Sequence, residues 1–298
     1  MELDILQFIQ KLGSDFFDFF FGVFSTIGGM GVVVAFVPII YWCVDKATGE
    51  EIALDIFSGC YVNSLLKGII ARARPVATHE SELRRGKYDY IYDSQLHDGE
   101  YLAESFPSGH SQSTASLLSG IAYRKGLKKY WPLLLIPVMV GLSRLYFGMH
   151  WPTDVLAGLA IGFGVSAIVH ICVKISKKKT LVAIPIVASA LMFFNLFGVE
   201  TKQLLLTAAL LALIWGGCLG MLTENKYIEF STGDVKWWMR VLRLPVGLIA
   251  VLLCAGVVFL PLWMFDVSKY VMLVPVAFVG GFAMATAAPL TFKMFRLI

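Results

Sequence analysis

Charge is scarce in this sequence: Asp, Glu, Lys and Arg make up 15% of its 298 residues, against roughly 25% in an average soluble domain. With 57% hydrophobic residues, that scarcity excludes an ordinary water-soluble globule. Strand-like alternation of apolar and polar residues is lacking too, which leaves helices as the element able to span a bilayer. Cysteine supplies no framework, because Cys43, Cys60, Cys172, Cys218 and Cys254 sit in apolar blocks at large, irregular spacings that match neither a disulfide scaffold nor a zinc motif. The start of the chain carries Glu2 and Asp4 where a basic n-region would stand, so no cleavable signal peptide is expected. Internal repeats and low-complexity tracts are not evident.

What is present is a series of apolar blocks close to the roughly 20 residues that a helix needs to cross a membrane. They predict an all-α, polytopic helix bundle with about nine spans, at 29–44, 51–71, 108–123, 131–148, 153–173, 181–197, 204–222, 244–265 and 271–290. Residues 4–27 interleave apolar positions with Asp4, Lys11, Asp15 and Asp18, the pattern of an amphipathic helix lying at the interface. The expected organisation is an interfacial segment 1–28, a core 29–175 with a long outer loop 76–105, and a membrane extension 176–298. Lys/Arg-rich short loops stay cytoplasmic. "YRKGLKKY" and "KISKKK", the loop 223–243 and the tail with Lys293 and Arg296 therefore share the inner side, and the loops 72–106, 143–152, 198–203 and 266–270 face outward.

Expensive polar residues gather at three places. In "KGIIARARP", Lys67 and Arg74 stand seven residues apart, two helical turns, so both can project from one face of a span's outer end. Pro75 disfavours the helical conformation at Arg74 and is expected to end the helix there. "FPSGHS" opens a span with Pro107, Ser108 and Gly109 ahead of His110; free N–H groups and the positive dipole end of such a helix start suit a phosphate oxyanion. In "SRLYFGMHWPTD", Ser143 and Arg144 end one span, while His150 precedes and Asp154 enters the next. The carboxylate can accept from one ring nitrogen of His150 and leave the other free to attack. Arg144 offers a donor fork matched to phosphate oxygens.

The charge-derived topology places all three clusters on the outward side. Lys67, Arg74, Arg144 and the N–H groups near Ser108 and Gly109 would neutralise the spread charge of a phosphoryl group. That leaves one histidine to attack and one to protonate the leaving group, and the residues alone do not choose between His110 and His150.

K-x6-R-P (Lys67 to Pro75), P-S-G-H (Pro107 to His110) and S-R-x5-H-x3-D (Ser143 to Asp154) resemble the three-part signature of the type 2 phosphatidic acid phosphatase (PAP2) family. The resemblance implies a metal-independent lipid phosphohydrolase without cofactor, working through a covalent phosphohistidine. On that resemblance His150 is the nucleophile, Asp154 orients it, and His110 is the general acid. Lys67, Arg74, Ser108, Gly109, Ser143 and Arg144 would hold the phosphate.

The expected substrate is a membrane lipid phosphate: an isoprenyl (undecaprenyl) diphosphate, phosphatidate, phosphatidylglycerol phosphate or sphingoid-base phosphate. A bacterial cytoplasmic membrane with the site on its extracytoplasmic face is the expected setting. A phosphotransferase, a non-hydrolytic phospholipid transporter or a haloperoxidase-like oxidant could use the same pocket. No nucleic-acid partner is expected, and the sequence does not indicate an oligomeric state. Loop 76–105 reads either as a headgroup gate or as a solvated outer loop, and Asp55, an acid inside a span near its cytoplasmic end, is a functional candidate.

Overall fold

The computed structural model describes residues 1–88, 91–92, 96–97, 100–101, 104–193, 196, 199–233 and 235–297. Helices dominate, and the loop 76–105 adds a two-residue antiparallel pairing of Leu96–His97 with Glu100–Tyr101. Among the described residues, five helical stretches are long and apolar enough to cross a membrane. They become six if Asp15–Ile27 and Met30–Val44, bent by 45°, form one span. Together with the apolar composition, this makes the chain an integral membrane protein.

Two expected segments are short: Gly109–Lys125 has 17 residues and Leu135–Tyr146 has 12. Two others join in the 41-residue helix Pro152–Met192. At 1.5 Å per residue that helix measures about 60 Å, twice a hydrocarbon core of about 30 Å. Non-helical dihedrals at Ser176 break it inside the lysine-rich run, between the two expected spans.

The chain divides into two compact units, one of residues 1–34 and 65–167, the other of 35–64 and 168–298. The first unit is built around a close helix crossing. A Cβ on Gly158 would lie 2.5 Å from the Ser108 carbonyl oxygen, and one on Gly162 would lie 2.5 Å from that of Gln112. Hydrogen at these positions lets the helix from Pro152 lie directly on the backbone of Gly109–Lys125. One turn further, Ser166 Oγ donates to Ser116 O at 3.1 Å.

The N-terminal segment forms two helices, Glu2–Gln10 and Asp15–Ile27, divided at Gly13 and Ser14. Ser14 caps the second by accepting from Phe17 N–H. Asp18, which alternation places on the polar face, is buried instead. Its two oxygens accept from Arg84 Nη1 at 2.6 Å and Nη2 at 2.9 Å, it also accepts from Lys87 N–H, and the Tyr146 hydroxyl donates to it. Gln10 completes the join by donating to the Arg84 and Tyr146 carbonyls and accepting from Arg84 N–H. Residues 84–88 and 91–92 of the 76–105 loop are therefore no solvated excursion, since Ile91 and Tyr92 pack with Phe21, Tyr146, Phe147 and Met149 in a buried cluster.

The second unit repeats the close-crossing device: Gly216 and Gly281 bring Thr201–Thr223 against Lys269–Ala285, with no room for a Cβ at either position. Fully buried Arg243 donates to the Trp42 and Leu297 carbonyls at 2.9 Å. Buried acids find bases here, Glu51 with His170 and Glu224 with Lys46, each at 2.5 Å. Asp55 is buried in this unit as well.

Candidate active site

The cluster lies wholly within the first unit. Lys67 sits in the last turn of Lys46–Ile70, and Ala71, with φ of 42°, terminates that helix. Arg74 is therefore not on the helix; it is extended (φ −76°, ψ 149°) ahead of Pro75. The seven-residue spacing brings the two cations together by a different route than a shared helical face. Both reach the backbone carbonyl of Glu104, Lys67 through Nζ and Arg74 through Nη2.

Arg144 ends the helix Leu135–Tyr146, and the chain then turns back at Gly148, whose φ of 65° favours glycine. The reversal lets Val76 N–H donate to Gly148 O and Met149 N–H to Arg144 O. It also carries His150 back beside Arg144. Arg144 is 1% exposed and His150 2%.

His150 is held at both ring nitrogens. Arg74 Nη1 lies 3.2 Å from Nε2 and donates to Met149 O at 3.1 Å. A guanidinium only donates, so Nε2 presents a lone pair toward the cations and the ring proton sits on Nδ1. Nδ1 faces Ser105 Oγ at 3.4 Å and Asp154 Oδ2 at 3.6 Å. The expected direct His150–Asp154 hydrogen bond is thus not made, since 3.6 Å is beyond hydrogen-bonding reach. Ser105 stands between the two, donating to Asp154 Oδ2 at 2.5 Å. Burial, then Arg74, Arg144 and Lys67, hold His150 well below the usual histidine range, which keeps the imidazole neutral and nucleophilic.

His110 lies in the first turn of Gly109–Lys125, and its electrostatic neighbours are Arg144, His150, Arg74 and Lys67. Both histidines and all three cations therefore share one site. Arg144 donates through Nη1 to Ser25 Oγ at 2.6 Å, while its Nε and Nη2 are buried and have no partner among the described residues. Leaving two buried guanidinium donors unmet is costly. An anion with oxygens spread like those of phosphate would satisfy them.

The remaining expected ligands divide. Ser108 N–H is already given to Asp154 O at 3.0 Å, and its hydroxyl pairs with Ser111 Oγ. Helix geometry leaves the N–H groups of Gly109 and His110 without intrahelical acceptors. The Ser143 hydroxyl donates to Val140 O at 2.7 Å, back along its own helix. No group of three or more His, Cys, Asp or Glu among the described residues is arranged to hold a metal ion.

Sequence reasoning missed Ser105, Ser25 and Arg72, the last of which donates to Asp154 Oδ1 at 2.9 Å. Ser105 adjoins "FPSGH" and Arg72 lies inside "ARARP", so adjacency to the clusters was the available signal for those two.

An integral membrane helical protein with a buried cluster of imidazoles and cations is the class that fold and geometry define. Residues 51–178 match the PAP2 superfamily, and residues 208–298 match the PAP2 superfamily phosphatase transmembrane extension. It is 27% identical to lipid phosphate phosphatase delta of Arabidopsis thaliana over 52% of this chain and 38% of that protein. Lipid A 1-phosphatase of Rhizobium etli is 35% identical over 36% of this chain and 42% of its own. Phosphatidylglycerophosphatase B of Bacillus subtilis is 34% identical over 34% and 46% respectively. The matched regions thus span 38% to 46% of these relatives' lengths.

Proposed function

We propose that this protein is a lipid phosphatase that hydrolyses the phosphomonoester or diphosphate headgroup of a membrane lipid. The observation that carries the reading is the Nε2 lone pair of His150 directed at Arg74 among Lys67, Arg144 and His110. The relatives named above are phosphatases of lipid substrates, which supports the same class.

In the proposed reaction, Lys67, Arg74, the unpaired Arg144 donors and the Gly109 and His110 N–H groups receive the phosphoryl oxygens. His150 Nε2 attacks phosphorus. The bond to the lipid oxygen breaks, its electron pair staying on that oxygen, which takes a proton from His110, protonated while the negative phosphoryl group is bound among the cations. Ser105 and Asp154, at Nδ1, stabilise the positive charge that His150 acquires. Water then attacks phosphorus and passes a proton to His110, and the P–N bond breaks with its electrons returning to Nε2. Phosphate leaves, and both histidines return to their starting forms. Since charge neutralisation rests on these side chains, turnover is expected without added metal.

The substrate on this reading is an isoprenyl diphosphate, phosphatidate, phosphatidylglycerol phosphate or sphingoid-base phosphate. The proposed setting is a bacterial cytoplasmic membrane, with the phosphate entering from the outer face while the lipid tail stays in the bilayer.

The test is phosphate release from a panel of those lipids in detergent, with chelator present and His150→Ala as control. Release that survives chelator, is blocked by vanadate without halide oxidation, and falls by orders of magnitude in the variant is the expected result. Transport of lipid phosphate by His150→Ala with no phosphate released by the wild type would replace the reading with that of a transporter.

A further inference from the structure

The part of the site that the phosphatase reading leaves unassigned is the far side of Asp154. This carboxylate is fully buried, and its two oxygens have different partners. Oδ2 accepts from Ser105 Oγ at 2.5 Å and from Trp151 N–H at 2.8 Å, on the side of His150 Nδ1. Oδ1 accepts from Arg72 Nη1 at 2.9 Å.

Arg72 is held in turn. Its Nη2 pairs with Glu2 Oε2 at 2.5 Å, its Nη1 also donates to Thr153 Oγ1 at 2.6 Å, and the guanidinium lies 5.1 Å over the Trp151 ring. Glu2, in the first helix, accepts through Oε1 from Thr153 N–H at 3.1 Å and Thr153 Oγ1 at 2.8 Å. It thereby supplies from another helix the cap that the start of Pro152–Met192 needs.

We propose that Arg72, anchored by Glu2, is a positioning residue that fixes the Asp154 carboxylate against His150; the inference rests on the phosphatase reading above. The physical reason is the softness of the aspartate terminal torsion, which is broad and nearly two-fold. Ser105 alone could follow the carboxylate as it turns. A charged fork locked to Glu2 and Thr153 cannot, so any rotation that moves Oδ2 off the Ser105–His150 line breaks a charge-assisted bond at Oδ1. The first helix is thereby part of the catalytic assembly.

A double-mutant cycle in phosphate release tests this. Arg72→Gln is expected to lower kcat by about 10- to 100-fold, the range seen when an outer partner of a site residue is lost, with KM within about twofold of wild type. Arg72→Lys, which keeps the charge without the fork, recovers part of the loss. In an Asp154→Asn background, Arg72→Gln should cost less than about twofold further, because the residue it acts through is already disabled.

Equal losses in both backgrounds, or a raised KM at unchanged kcat, would overturn the assignment, the second by making Arg72 a phosphate ligand. Should Arg72→Gln fail to fold, Glu2→Gln carries the same cycle, since it keeps an acceptor for Thr153 and loses the charge that anchors Arg72. Wild-type protein inactive on every lipid phosphate tried would instead remove the phosphatase reading itself, an outcome distinct from an active wild type with an additive cycle.

Discussion

Gly158 gives the sharpest test of how the fold places the chemistry. It sits in the helix that carries Asp154 in its first turn, and a Cβ there would stand 2.5 Å from the Ser108 carbonyl oxygen, where ordinary contact starts at 3.4 Å. Gly158→Ala must therefore push the two backbones apart by about 0.9 Å, because a carbonyl at a helix start has no side-chain torsion to turn away. The displaced element carries His110, and the resisting one carries Asp154. A misplacement of about 1 Å can cost on the order of 100-fold in turnover, so kcat for phosphate release should fall by about that factor. A control lies on the same helix: Gly164 has nothing within 4 Å of its would-be Cβ, so Gly164→Ala should keep full activity and gain about 0.5–1 kcal/mol from helix propensity. Both variants are assayed for phosphate release after a detergent thermal melt confirms folding. Full kcat in Gly158→Ala would refute the claim that this crossing sets the spacing of the catalytic groups.

Ser105→Ala removes the hydroxyl between Asp154 and His150 and should lower kcat about tenfold with little change in KM, measured by steady-state phosphate release. His150 has its folded-state affinity for protons depressed, so the unfolded chain binds the proton first as pH drops. The stability tied to its neutral form is complete above about pH 6.5 and is lost as pH falls further, at up to about 1.4 kcal/mol per pH unit. Detergent melts of wild type and His150→Gln should show the wild type losing more stability between pH 7 and 5, and parallel curves would contradict this. For topology, Lys87→Cys and Lys178→Cys in a cysteine-free background should differ: the first reacts with an impermeant thiol reagent on intact cells and the second does not.

Much of the helical architecture could be read from the sequence, because apolar blocks and the Pro152 and Pro75 punctuation are local signals. The three polar clusters were legible for the same reason, each lying within twelve consecutive residues. What escaped was long-range. Asp18 looks like the polar face of an interfacial helix until Arg84, 66 residues away, is seen closing on it. Arg72 and Asp154 are 82 residues apart, and no periodicity links them. Ser105 was passed over because its role depends on standing between two groups from another helix start. The Gly158 and Gly162 crossing leaves only small residues in the sequence, which mark close packing once the partner helix is known. The apolar span ends at 71, but the helix is expected to run on to Arg74, because Ala71 carries no glycine-like signal for the left-handed turn found there.

The central claim is that His150 takes the phosphoryl group from the lipid, and rapid quenching of the enzyme with a lipid labelled in its phosphate tests it most directly. The account predicts an acid-labile, base-stable label on the peptide bearing residue 150, absent in His150→Ala and longer-lived in His110→Ala, where water lacks its base. Turnover in His150→Ala at the wild-type rate, or a label on any other residue, would contradict it.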